Sequence, residues 1–233
     1  MYFGLQKLTL LDFPGAVACT VFTPGCNYRC PFCHNASLVE YESANRTGEG
    51  LLDKEELIAF LKKRSGLLDG VCITGGEPLL HKETLDLLKD IKKLGYKVKL
   101  DTNGSFPEHL AQILEEKSVD YVAMDIKNSP EKYSITAGNA SCLEKVKKSV
   151  TLLMQGNVPY EFRTTVTGNL HTKEDFIAIG KWIKGAEKYF LQPFTDSGDV
   201  LKKDPAYAVS NDLLHEYLVL IKGFIPNAVI RGR

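Results

Sequence analysis

Residues 16–35 read AVACTVFTPGCNYRCPFCHN, and this stretch determines how the rest of the chain is interpreted. Its first seven residues, 16–22, are mostly apolar or β-branched and predict a buried strand. The loop behind that strand carries three cysteines. Short strand patterns of the same kind recur further along the chain, at 70–74, 97–101, 119–125, 160–166 and 188–192.

Helical patterns separate these strands. Apolar residues recur at helical spacing over 54–65, 82–94 and 107–117, and again after Ser141, Thr172 and Ser210. Two of the helix starts, at Asp53–Glu56 and Ser141–Glu144, are capping-box patterns, in which a side chain at each end of the first turn satisfies a backbone N–H.

Six strands that alternate with helices predict a parallel sheet joined by right-handed crossovers. Six is fewer than the eight strands of a closed barrel. We therefore expect an α/β fold, a partial (β/α)6 open TIM-like barrel with outer helices, and a doubly wound sheet is the alternative. We expect one domain over 1–233, in which 1–15 leads into the first strand and 196–233 is a C-terminal extension. In either fold the functional residues lie at the C-terminal ends of the strands.

The composition excludes several classes of protein. The 233 residues are 44% hydrophobic and 25% charged, which is typical of a globular chain. Lys+Arg and Asp+Glu are both 29, and this neutrality argues against nucleic acid or an anionic membrane as a partner. No apolar run of about 18 residues could span a membrane. An acid and a proline interrupt 1–15 where a signal peptide would be apolar, so we expect a cytoplasmic protein.

The cysteines are more informative than the composition. Six cysteines are too few for a disulfide scaffold, but Cys26, Cys30 and Cys33 fall within eight residues and indicate a metal or redox site. A structural zinc site usually takes four ligands, and His34, directly beside Cys33, can hardly reach the same ion. An iron–sulfur cube held by three cysteines would keep one iron open for a ligand.

Polar motifs follow the next strands. Thr74–Pro78 reads TGGEP, Asp101–Gly104 reads DTNG and Met124–Lys127 reads MDIK. The two glycines of the first motif would let a ligand approach the backbone, and the carboxylate of Glu77 suits a cationic amino group. The acid and lysine of the third motif could instead form a surface ion pair, and Arg163 on the fifth strand could face solvent.

The cysteine spacing resembles the signature of the radical S-adenosylmethionine (SAM) enzymes, C-x3-C-x2-C with an aromatic residue, here Phe32, before the third cysteine. Thr74–Pro78 is similar to the segment of that family that carries SAM. The resemblance implies a [4Fe–4S] cluster held by Cys26, Cys30 and Cys33, with SAM bound at the fourth iron.

The motifs at 101–104 and 124–127 narrow the resemblance to the glycyl-radical-enzyme activating enzymes. It implies SAM contacts from Phe32, His34, Gly75, Gly76, Glu77, Thr102, Asn103, Asp125, Lys127, Arg163, Gln192 and Thr195. It also implies a monovalent-cation site formed by Asp101, Thr102 and Asp125. Relatives often carry a histidine where Thr195 stands.

Within this group the chain resembles the activating proteins of anaerobic ribonucleoside-triphosphate reductase. The residues that carry this likeness are Gly4–Lys7, Leu11–Gly15, Phe22–Cys26 and Cys33–Asn35. The resemblance covers roughly 4–195, and activating enzymes of pyruvate formate-lyase share most of its features.

The function implied by the resemblance is that of a radical SAM activase. Such an enzyme cleaves SAM reductively at its cluster, and the 5′-deoxyadenosyl radical removes a hydrogen from a glycine Cα of a partner glycyl radical enzyme. Flavodoxin or ferredoxin is the implied reductant. Two alternatives remain open: a radical SAM enzyme acting on a small molecule, such as a deazapurine synthase, and a noncatalytic iron–sulfur or zinc module.

Overall fold

The computed structural model describes residues 1–39, 50–196 and 198–232. Its centre is a single sheet, and in the described part of the chain the strands number eight. They are β1 (Gly4–Thr9), β2 (Ala18–Thr23), β3 (Gly70–Gly75), β4 (Lys97–Thr102), β5 (Tyr121–Asp125), β6 (Tyr160–Val166), β7 (Tyr189–Pro193) and β8 (Val229–Ile230). The strands lie side by side in chain order.

The predicted α/β fold with a mostly parallel sheet is confirmed. Strands β2 to β8 pair in parallel, while β1 pairs antiparallel with β2. The six predicted strands are β2 to β7, and the two edge strands, β1 and β8, were not predicted. Three of the six residues of β1 are exposed and β8 has two residues, so neither has the buried apolar run that identifies a central strand.

Helices connect the strands. They are α1 (Ala36–Val39), α2 (Lys54–Lys63), α3 (Glu83–Lys93), α4 (Pro107–Glu115), α5 (Tyr133–Ala137), α6 (Leu143–Gln155), α7 (Lys173–Trp182) and α8 (Asn211–Lys222). Among the residues described, none of these helices is long and apolar enough to cross a membrane. The part of the predicted extension 196–233 that the structure describes contributes α8 and β8.

One predicted helix cap is confirmed and another is wrong. Asp53 and Glu56 form the capping box of α2, each side chain accepting a hydrogen bond from the other residue's backbone N–H. The box predicted for Ser141–Glu144 does not form, because α6 begins one residue later, with Cys142 as its N-cap. The Ser141 hydroxyl instead donates to the side chain of Asn139.

The two faces of the sheet differ in polarity, and this difference positions the site. In β4, Val98 and Leu100 belong to the main apolar core, to which the helices also contribute. Lys99 and Asp101 alternate with them, and successive residues of a strand point to opposite faces. The opposite face of the sheet therefore carries charged side chains. These side chains lie towards the C-terminal ends of the strands.

Candidate active site

The three clustered cysteines line one cavity at the C-terminal ends of the strands. The volume of this cavity is about 180 Å³. The Cys26 sulfur accepts hydrogen bonds from the backbone N–H of Tyr28, at 3.4 Å, and from Nδ2 of Asn103, at 3.8 Å. The backbone N–H of Cys33 donates to the carbonyl of Cys30, at 3.0 Å, and so closes a tight turn between these two ligand candidates.

Burial keeps the thiols of Cys26 and Cys30 protonated until a positively charged partner binds. It raises the pKa of Cys26 to about 11 and that of Cys30 to about 12. Iron binding releases such protons, because thiolate is the ligand form of cysteine. Among the residues described, no three His, Cys, Asp or Glu side chains meet closely enough to hold a single metal ion. Three soft sulfur donors around one cavity, one of them already receiving N–H donors, fit a [4Fe–4S] cluster.

The two glycines at the end of β3, Gly75 and Gly76, also have a structural role. They let the loop after β3 pack directly on the backbone that leads into Cys26. Gly75 has a φ of +122°, and a Cβ built on Gly76 would lie 1.9 Å from the carbonyl oxygen of Gly25. The N–H of Gly76 donates to the carbonyl of Thr23 at 3.0 Å. The glycines therefore lock the cysteine loop to the neighbouring strand end.

Glu77 does not line the cavity. It is completely buried, and its carboxylate accepts hydrogen bonds from the N–H groups of Leu79 and Asn103 and from the hydroxyl of Thr102. Burial raises the pKa of Glu77 to about 7, although these three donors favour the ionised form. The side chain thus ties the loop after β3 to the loop after β4, behind the cavity wall.

A chain of alternating charges occupies the polar face of the sheet below the cysteines. Lys99 contacts one carboxylate oxygen of Asp101, and Nη1 of Arg163 lies 3.0 Å from the other. Nε of Arg163 lies 3.0 Å from Oδ1 of Asp125, and Lys127 lies 2.9 Å from Oδ2. Each of the four carboxylate oxygens therefore has its own cationic partner.

These ion pairs are largely withdrawn from solvent, which answers the two alternatives left open above. The Lys127 and Arg163 side chains are 16% and 14% exposed, so neither forms a surface pair or faces bulk water. Burial alone would raise the pKa of Asp101, but the charges of Arg163 and Lys99 outweigh it and hold that pKa below its ordinary value. The same balance, with Lys127 and Arg163, lowers the pKa of Asp125.

Most of the residues predicted for the site meet at this cavity. Those in its lining are Cys26, Cys30, Phe32, Cys33, His34, Gly75, Gly76, Asp101, Thr102, Asn103, Asp125, Lys127 and Arg163. Three predicted SAM contacts are outside the lining: Glu77, the half-buried Gln192 and the exposed Thr195. His34 stacks on Phe194, with ring centroids 5.1 Å apart, so the segment after β7 touches the rim of the site.

The three residues predicted to hold a monovalent cation are already engaged elsewhere. Asp101 and Asp125 bind the three basic side chains just described. The hydroxyl of Thr102 donates to Glu77 and accepts from the N–H of Gly104. This arrangement does not fit a bound alkali ion, because a cation would enter a group of charges that is already net positive.

Two residues that shape the site were not predicted from the sequence. One of them is Lys99, which is 1% exposed. Side chains alternate between the two faces of a strand, and this pattern could have placed Lys99 on the same face as Asp101. Asn35 donates from Nδ2 to the carbonyl of Gly75 at 3.1 Å, and so joins the cysteine loop to the glycine loop. Nothing in the pattern around Asn35 indicated that contact.

A segment from the C-terminal part of the chain holds the cysteine loop from outside. Within the 199–202 segment, the N–H of Leu201 donates to the carbonyl of Cys33 at 3.2 Å. The N–H of Lys202 donates to the carbonyl of Pro31 at 2.8 Å. The loop that carries the cysteines is therefore fixed on one side by the glycine loop and on the other by the 199–202 segment.

Relatives of the chain share both its sequence pattern and its fold. The family model described as the radical SAM superfamily matches residues 20–183. A protein of Methanocaldococcus jannaschii with the provisional name of glycyl-radical enzyme activating enzyme is 32% identical over 98% of this chain and 94% of its own. The pyruvate formate-lyase-activating enzyme of Staphylococcus epidermidis is 26% identical over 84% of this chain and 81% of its own.

Solved structures agree in fold. Streptococcus suis SuiB bound to its precursor peptide SuiA superposes with a TM-score of 0.69 over 90% of this chain, at 16% identity, and the chain spans 47% of SuiB. The protein anSMEcpe with bound AdoMet gives a TM-score of 0.64 over 90% of this chain and 61% of its own, at 20% identity. Family membership implies a [4Fe–4S] cluster and SAM. The chain belongs to the radical SAM superfamily and, within it, to the glycyl-radical enzyme activating enzymes.

Proposed function

We propose that this protein activates anaerobic ribonucleoside-triphosphate reductase by installing a glycyl radical on it. The observation that carries the proposal is the cavity itself, where three thiols from one loop share the lining with paired charges from β4, from β6 and from the end of β5. The choice of target rests on the N-terminal motifs, above all Leu11–Gly15 and Cys33–Asn35.

The cysteine loop would hold the cluster. Cys26, Cys30 and Cys33 each supply one sulfur, and a [4Fe–4S] cluster bound there would deliver the electron that splits SAM into methionine and a 5′-deoxyadenosyl radical. The hydrogen bonds from Tyr28 and Asn103 to the Cys26 sulfur stabilise its thiolate, and donors of this kind raise the potential of such clusters.

The charged chain would bind the amino-acid part of SAM. Lys127 and Arg163 line the cavity and present positive charge to the methionine carboxylate. Asp125 is paired with both of them and lines the same cavity. Because these side chains are already fixed by one another, little conformational entropy is lost when SAM binds.

The sheet leaves room for a polypeptide substrate. Its edge strands, β1 and β8, are not paired with each other in the described part of the chain, so the sheet is open rather than closed into a barrel. A glycine on a protein loop must reach the cavity from the side, and an open sheet permits this approach. Flavodoxin or ferredoxin is the electron donor we propose.

A second candidate target is pyruvate formate-lyase. The pyruvate formate-lyase-activating enzyme of Clostridium pasteurianum is 36% identical over 130 residues, which is 54% of this chain and 51% of its own. That match favours the same chemistry on a different partner. The two targets are separated only by an experiment with both partner proteins.

The test uses anaerobically reconstituted protein with a reductant and SAM. Cys30→Ala should lose the cluster and the formation of 5′-deoxyadenosine, whereas the matched control Cys142→Ala, at a buried thiol outside the cavity lining, should keep both. Electron paramagnetic resonance should then show a glycyl radical when the reductase is added. A radical that forms on pyruvate formate-lyase and not on the reductase would overturn the proposed target. SAM cleavage that survives in Cys30→Ala would overturn the proposed chemistry.

A further inference from the structure

Lys99 is a buried lysine that the proposed chemistry does not use. It lies on β4, two residues before Asp101 and on the same face, with its side chain 2% exposed. Lysine is almost never fully buried unless it is paired. Its ammonium contacts Oδ1 of Asp101 and lies 3.8 Å from the sulfur of Cys72, a buried neutral thiol whose pKa is raised by burial. A full positive charge is thus held directly beneath the cavity.

With Lys99 included, every carboxylate oxygen of Asp101 and Asp125 has a cationic partner. Asp101 is shared between Lys99 and Arg163, and Asp125 is shared between Arg163 and Lys127. Three cations and two carboxylates carry one net positive charge. An alkali ion that entered between the carboxylates would be repelled by this charge and would have to displace an ammonium or guanidinium group from an existing pair.

We propose that this protein supplies the positive charge at its SAM site from Lys99, Arg163 and Lys127, which face Asp101 and Asp125, and that it needs no monovalent cation there. Lys99 is a positioning residue, since it acts through Asp101 and does not reach the cavity lining. Lys127 and Arg163 meet the SAM carboxylate directly. The inference rests on the proposed function, because it assumes that SAM binds in this cavity.

The wild-type protein provides the first test. SAM binding to the anaerobically reconstituted protein is measured by isothermal titration calorimetry in potassium chloride, sodium chloride and choline chloride at equal ionic strength. The Kd should agree within about twofold in the three salts, because choline is too large to enter an alkali-ion site. Binding that tightens by on the order of tenfold in potassium or sodium would overturn the inference.

A variant of Lys99 supplies the second test. In Lys99→Met, which keeps the approximate length of the side chain, Asp101 loses one of its two buried counter-charges and keeps Arg163. SAM binding in choline chloride should weaken on the order of tenfold. Potassium chloride should restore it, since the carboxylate oxygen that Lys99 contacts in the wild type becomes an alkali-ion ligand. Lys97→Met, an exposed lysine of the same strand, is the matched control and should bind SAM as the wild type does in every salt.

The remaining outcomes are also decisive. A Lys99→Met protein with unchanged affinity, or a loss that potassium does not restore, would overturn the role assigned to Lys99. Failure of this variant to fold, checked by circular dichroism, leaves the wild-type salt comparison to decide the matter. Absence of SAM binding in every salt would overturn the proposed function and this inference with it, whereas cation-dependent binding overturns the inference alone.

Discussion

Gly76→Ala should disconnect the cysteine loop from the strand beside it. The added Cβ would lie 1.9 Å from the carbonyl oxygen and 2.5 Å from the carbonyl carbon of Gly25. Both atoms belong to the backbone, so no side chain can rotate away. Since real Cβ atoms essentially never approach closer than 3.0 Å, the segment before Cys26 must retreat by more than about 1 Å.

The size of the effect follows from that displacement. Overpacking of this kind typically costs about 1–3 kcal/mol of unfolding free energy, and each kcal/mol lowers Tm by about 2–4 °C in a chain of this length. A misplacement of about 1 Å in a catalytic group can reduce a rate on the order of a hundredfold. We therefore expect a modest loss of stability but a large loss of SAM cleavage.

Three measurements check this prediction together: thermal unfolding, iron and sulfide content after anaerobic reconstitution, and the rate of 5′-deoxyadenosine formation. Gly223→Ala is the matched control, because its φ is −62° and the atom nearest to an added Cβ is 3.4 Å away. It should behave as the wild type in all three. A Gly76→Ala protein with normal iron content and a normal rate would refute the idea that this contact positions Cys26.

Three further substitutions test other parts of the site. Glu77→Gln should change the pH dependence of stability. Burial raises the pKa of Glu77 to about 7, so the folded state holds the carboxyl proton more tightly than the unfolded chain does. The stability that this proton contributes is present at low pH and is lost as pH rises from about 4.5 through 7. The difference in unfolding free energy between wild type and variant, from urea denaturation, should therefore shift by about 3 kcal/mol between about pH 4 and pH 8, and a constant difference would contradict the assignment. Arg163→Lys should weaken SAM binding by about tenfold in calorimetry. The guanidinium joins Asp101 and Asp125 through two different nitrogens, and a single ammonium cannot bridge both carboxylates. Unchanged affinity would mean that SAM binding does not need this bridge. Arg231→Met should lower the unfolding free energy, measured by urea denaturation, by about 3–5 kcal/mol, because it removes the cationic partner of the completely buried Glu161. Lys188→Met, at an exposed lysine, is the control and should change the unfolding free energy little.

The central part of the fold could be predicted because burial acts directly on sequence. Strands β2 to β7 are short, largely buried runs, so their apolar and β-branched residues stand out against the helices between them. The edge strands could not be found in this way. In β1, Gln6, Lys7 and Leu8 are exposed, and an edge strand of this kind reads like a loop.

The site was predictable to the extent that parallel strands bring their C-terminal ends together. That rule alone predicts that the cysteine loop lies beside the motifs at 101–104 and 124–127. Side-chain direction was less accessible. Glu77 follows two glycines and was predicted to face a ligand, yet its carboxylate turns to the backbone of Asn103. Lys99 was overlooked since lysines are usually solvated, and only the pairing of Arg163 with the same carboxylate shows how the charges combine.

The contact between the 199–202 segment and the cysteine loop has a consequence for the order in which this protein is completed. Residues 31 and 33 are synthesised long before Leu201 and Lys202, whose backbone N–H groups hold them. We therefore expect iron to be retained only once the 199–202 segment has been synthesised and has folded onto the cysteine loop. A chain that stops before residue 199 should retain less iron under the same reconstitution, and equal iron content would show that the late segment is dispensable for assembly.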